Sequence, residues 1–136
     1  MRILIVDDDA DIRETLRMFL EDEHYEVLEA ADGVEALERA QESAEALVIL
    51  LDFMMPRLDG IDVLRRAAQD PRLARHAYII MTALHRPPPA DMPLLNQRLR
   101  IVHLAKPFDL GQLSQTIAAL VTGMPDSGPE GTASEG

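Results

Sequence analysis

Cysteine and tryptophan are both absent from this 136-residue chain, and aromatic residues make up only 4% of it. The first absence excludes thiol catalysis, cysteine-ligated zinc and disulfide stapling, so a packed aliphatic core has to supply the stability. Long hydrophobic runs are missing as well. The apolar run at residues 3–6 stops at Asp7, Asp8 and Asp9, far short of a membrane span or the core of an export signal, so no membrane contact and a cytoplasmic location are expected. Positive charge is scarce, with 13 Lys and Arg against 24 Asp and Glu and a net charge of -11. That balance repels a phosphate backbone and argues against direct contact with nucleic acid. It is unevenly spread: residues 71–106 hold six Lys and Arg against one acid, so this stretch is +5 and the rest is -16.

What is present is an ordinary globular mixture, 47% hydrophobic and 27% charged. A chain of this length accommodates one core, so a stand-alone domain without a separate output domain is expected. Short β-rich apolar runs alternate with segments of helical periodicity. Strands are expected at 4–6, 25–28, 46–51, 78–81 and 101–104. Helices are expected where Ile12, Leu16, Phe19 and Leu20, then residues 34–40, then Ile61, Val63, Leu64 and Ala67 recur at helical spacing. Asp9 and Asp32 read as helix caps, and Asp109 with Gln112 as a capping box ahead of a last helix whose core face is Leu110, Leu113, Ile117, Leu120 and Val121. Pro87, Pro88, Pro89 and Pro93 break the fourth helix and leave only residues 92–99 for it, capped by Asp91. Residues 122–136, rich in glycine, proline, serine and acids, read as a flexible acidic tail after a domain at 1–121.

Alternation of this kind predicts an α/β fold, a doubly wound five-stranded parallel sheet in the flavodoxin-like order 2-1-3-4-5, with an irregular fourth helix. Such sheets bind ligands at the carboxyl ends of their strands. Asp7 and Asp8 follow the first strand, Asp52 the third, Thr82 the fourth and Lys106 the fifth. Carboxylates gathered in one crevice repel unless a cation intervenes, and all-oxygen ligation suits magnesium. A carboxylate there can also attack phosphorus, with the ammonium of Lys106 and the hydroxyl of Thr82 available to neutralise phosphoryl oxygens. Three other readings of the acids fit less well. A calcium loop would need glycine where Ile12 stands and glutamate where Met18 stands. A flavin phosphate would meet three negative charges, and an aspartyl phosphatase would need a longer chain.

Together, VDDD at residues 6–9, LLDFMMPRLDG at 50–60, MTA at 81–83 and AKPF at 105–108 make the chain resemble the receiver domain of bacterial two-component response regulators, over roughly residues 2–121. The resemblance implies that Asp52 accepts a phosphoryl group from a histidine kinase or histidine phosphotransfer protein. It implies that Asp7, Asp8, Asp52 and the backbone carbonyl of Met54 hold Mg2+, that Thr82 and Lys106 bind the phosphoryl group, and that the peptide before Pro107 is cis. Output would be a contact with a downstream protein rather than turnover of a free substrate. In the family, Thr and an aromatic residue on strand five move together on phosphorylation. Here His103 stands at the aromatic position, and the family's Gly-Ala pair before strand five is missing. Two readings follow: a phosphorylation switch that uses Thr82 and His103, or a binding scaffold that keeps the receiver fold with a lost or altered switch.

Overall fold

The structure, a computed structural model, describes residues 1–55, 58–83 and 88–123. Along the chain run β1 (Arg2–Val6), α1 (Ala10–Asp22), β2 (Glu26–Ala30), α2 (Gly33–Glu42), β3 (Val48–Asp52), α3 (Gly60–Ala67), α4 (Pro71–Ala74), β4 (Ala77–Ala83), α5 (Met92–Arg98), β5 (Arg100–Lys106) and α6 (Leu110–Gly123). The strands form one sheet in the order β2-β1-β3-β4-β5, every neighbouring pair parallel. The expected doubly wound fold is present. Its winding reverses between β1 and β3, which opens a crevice beyond their carboxyl ends.

Alternate residues of each strand serve two separate cores, because a parallel sheet covered on both faces must be apolar on both. Leu4, Val6, Ile49, Leu51, Tyr78 and Ile80 pack with Ala36, Ala40, Leu64, Ala67 and Leu95 on the face covered by α2, α3 and α5. Ile3, Ile5, Leu50, Ile79 and Met81 pack with Leu16, Leu20, Leu113 and Ile117 on the face covered by α1 and α6. Each fully buried Leu or Ile contributes roughly 1.5–3 kcal/mol.

Local chemistry fixes the helix starts. Asp9 accepts from the backbone of Asp11 and Ile12, and Asp32 from that of Glu35. The expected capping box is reciprocal: Asp109 N–H donates to Gln112 Oε1 at 3.0 Å and Gln112 N–H to Asp109 Oδ1 at 2.7 Å. Asp91 is different. It precedes α5 but makes no side-chain cap, because both of its oxygens accept from the Arg65 guanidinium on α3. The helix is seven residues long and has Pro93 in its first turn, as the proline pattern demands. The proline stretch itself is only partly within view: Pro88 and Pro89 precede α5 without helical structure, whereas Arg86 and Pro87 lie outside the described residues.

Several details depart from the sequence reading. The short helix α4, whose cap Asp70 accepts from the Arg72 N–H, was not expected; it gives the chain room to turn from α3 into β4. Ile12 and Leu110, in the first turns of α1 and α6, are exposed rather than part of the buried stripes. α6 continues to Gly123, two residues past the expected boundary, and the expected tail from 124 onward lies outside the described residues. α1 closes with Tyr25 N–H bonded to Leu20 O and His24 N–H to Glu21 O, leaving His24 at φ 72°, a left-handed position that usually belongs to glycine.

Candidate functional site

Three carboxylates converge in the crevice. Asp7 directly follows β1, Asp8 comes next, and Asp52 closes β3; one oxygen from each lies within 4.8 Å of the others. Asp7 and Asp52 are buried and Asp8 is exposed. Lys106, the last residue of β5, extends its Nζ to 3.4 Å from Asp52 Oδ1. The loop after β3 turns back on the same carboxylate, with the Met54 N–H 3.4 Å from Asp52 Oδ1. Met54 itself is exposed.

The shape of this crevice follows from local constraints. Asp9, the third acid of the triplet, is used as a helix cap and takes no part in the cluster. The Gly60 N–H donates to Phe53 O at 3.1 Å, and a Cβ on Gly60 would stand 2.6 Å from Asp52 O. Only glycine lets α3 start that close to the end of β3. The peptide between Lys106 and Pro107 is cis.

Electrostatics in the pocket are unbalanced. Burial pushes the Asp7 carboxyl above its ordinary value; the Asp9 N–H opposes this, Asp52 adds to it, Lys106 opposes and Asp8 adds again. Asp7 Oδ1 accepts from the Asp9 N–H at 2.9 Å, whereas the buried Oδ2 has no hydrogen-bond partner among the described residues. A buried, unpartnered carboxylate oxygen beside two more carboxylates is costly for a protein alone. It is well matched to a hard divalent cation that takes oxygen ligands, so the residues fit magnesium.

Thr82 lies one residue before the end of β4, half-buried, and with His103 it lines a pocket of about 320 Å³ whose walls include Phe53, Ile80, Met92 and Asn96. His103 is exposed and stands opposite Ile80 in the β4–β5 register. A second, open cavity of about 430 Å³ joins Asp7 and Lys106 to Ile12, Leu16, Pro107 and Phe108. The exposure of Ile12 is thus local to the crevice rim. Sequence reasoning missed Arg13 and Glu29, whose side chains meet behind the Asp7 backbone; a basic residue inside a helix carries no signal of such a contact.

The model of the response regulator receiver domain matches residues 3–118. The chain belongs to this family. Response regulator RR06 of Streptococcus pneumoniae is 36% identical over 124 residues, covering 89% of this chain and 53% of RR06, so the chain spans about half the length of that relative. Among solved structures, a CheY-like receiver domain protein from Methanospirillum hungatei superposes with a TM-score of 0.75 at 31% identity, over 88% of this chain and 92% of that one. The chemotaxis protein CheY4 of Vibrio cholerae does so with a TM-score of 0.72 at 29% identity, over 87% and 96%. Receiver domains are signalling modules of two-component systems, and the match of this chain is consistent with that role.

Proposed function

We propose that this receiver domain is a reversible phosphoryl carrier, with Asp52 as the acceptor of a phosphoryl group from a histidine kinase or histidine phosphotransfer protein. The observation that carries this reading is the position of Asp52 between Asp7 and Asp8 on one side and the Lys106 ammonium, 3.4 Å away, on the other. A carboxylate oxygen of Asp52 attacks phosphorus, the bond between phosphorus and the donor's nitrogen breaks, and the donor imidazole leaves with the electron pair. Negative charge is spread over the three transferred oxygens during that exchange, and Lys106 Nζ would meet one of them. The Thr82 hydroxyl meets a second.

Asp7, Asp8, Asp52 and the backbone carbonyl of Met54 would hold Mg2+. When bound, that ion supplies charge neutralisation to the acidic cluster and to the incoming phosphoryl group. Output is a contact with a downstream protein, made or broken when the added charge at Asp52 biases the surface around Thr82, His103 and α5. The net charge of -11 argues against direct nucleic-acid contact, and the proposed location is cytoplasmic; among the described residues no helix is long and apolar enough to cross a membrane.

The test is incubation with Mg2+ and a small phosphodonor followed by intact mass. Wild type gains the mass of one phosphoryl group and Asp52→Asn gains none; equal labelling of the two proteins rejects the assignment. A second reading, the scaffold, draws on the exposed His103 at the position where the family carries an aromatic ring. Amide spectra with a magnesium-bound phosphoryl mimic separate the two. Shifts at Thr82, His103 and Leu104 support the switch, and shifts confined to Asp8 and Asp52 support the scaffold.

A further inference from the structure

Asp7 is held at three points. Its N–H donates to Ala30 O on β2 at 3.2 Å, its Oδ1 accepts from the Asp9 N–H, and its backbone carbonyl accepts from Arg13 Nη1 at 2.7 Å. The same guanidinium donates through Nε to Glu29 Oε1 at 3.0 Å, and the other Glu29 oxygen accepts from Arg17 Nη1 at 2.6 Å. Arg13 and Glu29 have side-chain exposures of 17% and 27%, making theirs the one described ion pair with both partners less than a third exposed. Glu29 adjoins Ala30, so one stretch of β2 grips both ends of the Asp7 main chain, one end directly and the other through Arg13.

From this geometry we propose that Arg13 is a positioning residue for the divalent-cation site, holding the Asp7–Asp8 peptide so that both carboxylates stay aimed at Asp52. The peptide plane transmits the constraint. The Asp7 carbonyl and the Asp8 N–H belong to one rigid unit, so fixing the carbonyl limits the direction in which Asp8 leaves the strand. Asp8 itself is exposed. Oδ2 of Asp7, left without a partner by the three contacts, is the oxygen the arrangement presents to the crevice. Groups that hydrogen-bond a ligand from behind orient it in metal sites generally. A plain tether between α1 and β2 is the competing role, and it affects stability without affecting the affinity of the folded protein for the ion.

This inference rests on the proposed cation site, and the test separates the two. Full-length wild type, Arg13→Ala, Arg17→Ala and Glu29→Gln are titrated with Mg2+ by calorimetry well below their melting temperatures, and each is melted in chelator. Arg17→Ala removes a contact to Glu29 without touching Asp7, so it reports the tether alone. Arg13→Ala is expected to lose about tenfold or more in Mg2+ affinity. Glu29→Gln loses affinity in the same direction but less, while Arg17→Ala keeps wild-type affinity despite a lowered melting temperature. Wild-type affinity in both Arg13→Ala and Glu29→Gln overturns the positioning role. No Mg2+ binding by wild type overturns the cation site itself. Should Arg13→Ala not fold, Glu29→Gln decides the matter.

Discussion

Lys106 and Asp52 are 3.4 Å apart although their strands are not neighbours: β4 lies between them. The register explains the reach. Asp52 pairs with Met81 and Lys106 with Ala83, so Lys106 begins two residues further along β4 and its long side chain crosses the end of that strand. Proximity of this pair is therefore a product of strand order, not of sequence distance.

Replacing this cation by an unbranched neutral side chain of nearly the same length tests its charge. Lys106→Met is expected to lower stability by only about 0.5–1 kcal/mol, since Lys106 is 41% exposed and solvent screens the pair. Labelling of Asp52 by a small phosphodonor slows far more, because the missing ammonium acts where charge develops. Urea titration and time-resolved intact mass measure the two effects; a loss of stability with unchanged labelling contradicts the role given to Lys106.

Asp7→Asn removes one charge from the acidic cluster and keeps the oxygen that accepts from the Asp9 N–H. Its new amide can donate to a neighbouring carboxylate where Asp7 Oδ2 has no partner. In chelator the variant is expected to be more stable than wild type by about 1 kcal/mol, the relief of like-charge repulsion. In saturating Mg2+ the order narrows or reverses, because a ligand that binds only the folded state stabilises wild type more. Melting curves with and without the ion check both halves.

Far from the crevice, buried His76 ties the sheet to the end of α2. Its Nδ1 accepts from the Leu47 N–H at 2.9 Å, which leaves Nε2 as the protonated nitrogen, 2.9 Å from Ala40 O. Burial holds the imidazole below its ordinary value; the hydrogen bond to Ala40 opposes this and Arg75 adds to it. As pH falls through the ordinary histidine value, the unfolded chain takes up a proton that the folded chain refuses, so stability declines on the acid side and is retained above it. Between about pH 7 and pH 5.5 the loss attributable to one such proton is at most about 1.4 kcal/mol per unit. His76→Gln should flatten this slope while costing about 1–3 kcal/mol throughout, as two buried backbone groups lose their partner geometry. Denaturant midpoints across pH provide the measurement.

Much of this architecture is legible in the sequence because its signals are local. The run at 48–51 is apolar at every position, as a strand buried on both faces must be, and Asp52 ends it; Asp32 and the Asp109–Gln112 pair announce their helices by spacing. Contacts that depend on strand order carry no such signal. Arg65 captures Asp91 from another helix and so cancels a cap that spacing predicts, and Arg13 reaches a carbonyl that no pattern marks. His24 hides a left-handed turn because glycine, the residue that would advertise it, is absent there.

Gly60 offers the last test, since it joins fold to function through a single hydrogen atom. A methyl group at this position would meet Asp52 O at 2.6 Å and Phe53 Cα at 3.1 Å, both backbone atoms that cannot swing aside. Gly60→Ala must then push the start of α3 away from the end of β3, weakening the bond from Gly60 N–H to Phe53 O. Overpacking of this type costs about 1–3 kcal/mol. The displaced loop also carries Met54, whose N–H approaches Asp52 Oδ1 at 3.4 Å. Labelling of Asp52 by a small phosphodonor is therefore expected to fall even at temperatures where the variant is fully folded. Restoration of wild-type labelling on cooling would mean that Gly60 serves stability alone; a defect that persists in the folded protein ties this glycine to the geometry of Asp52.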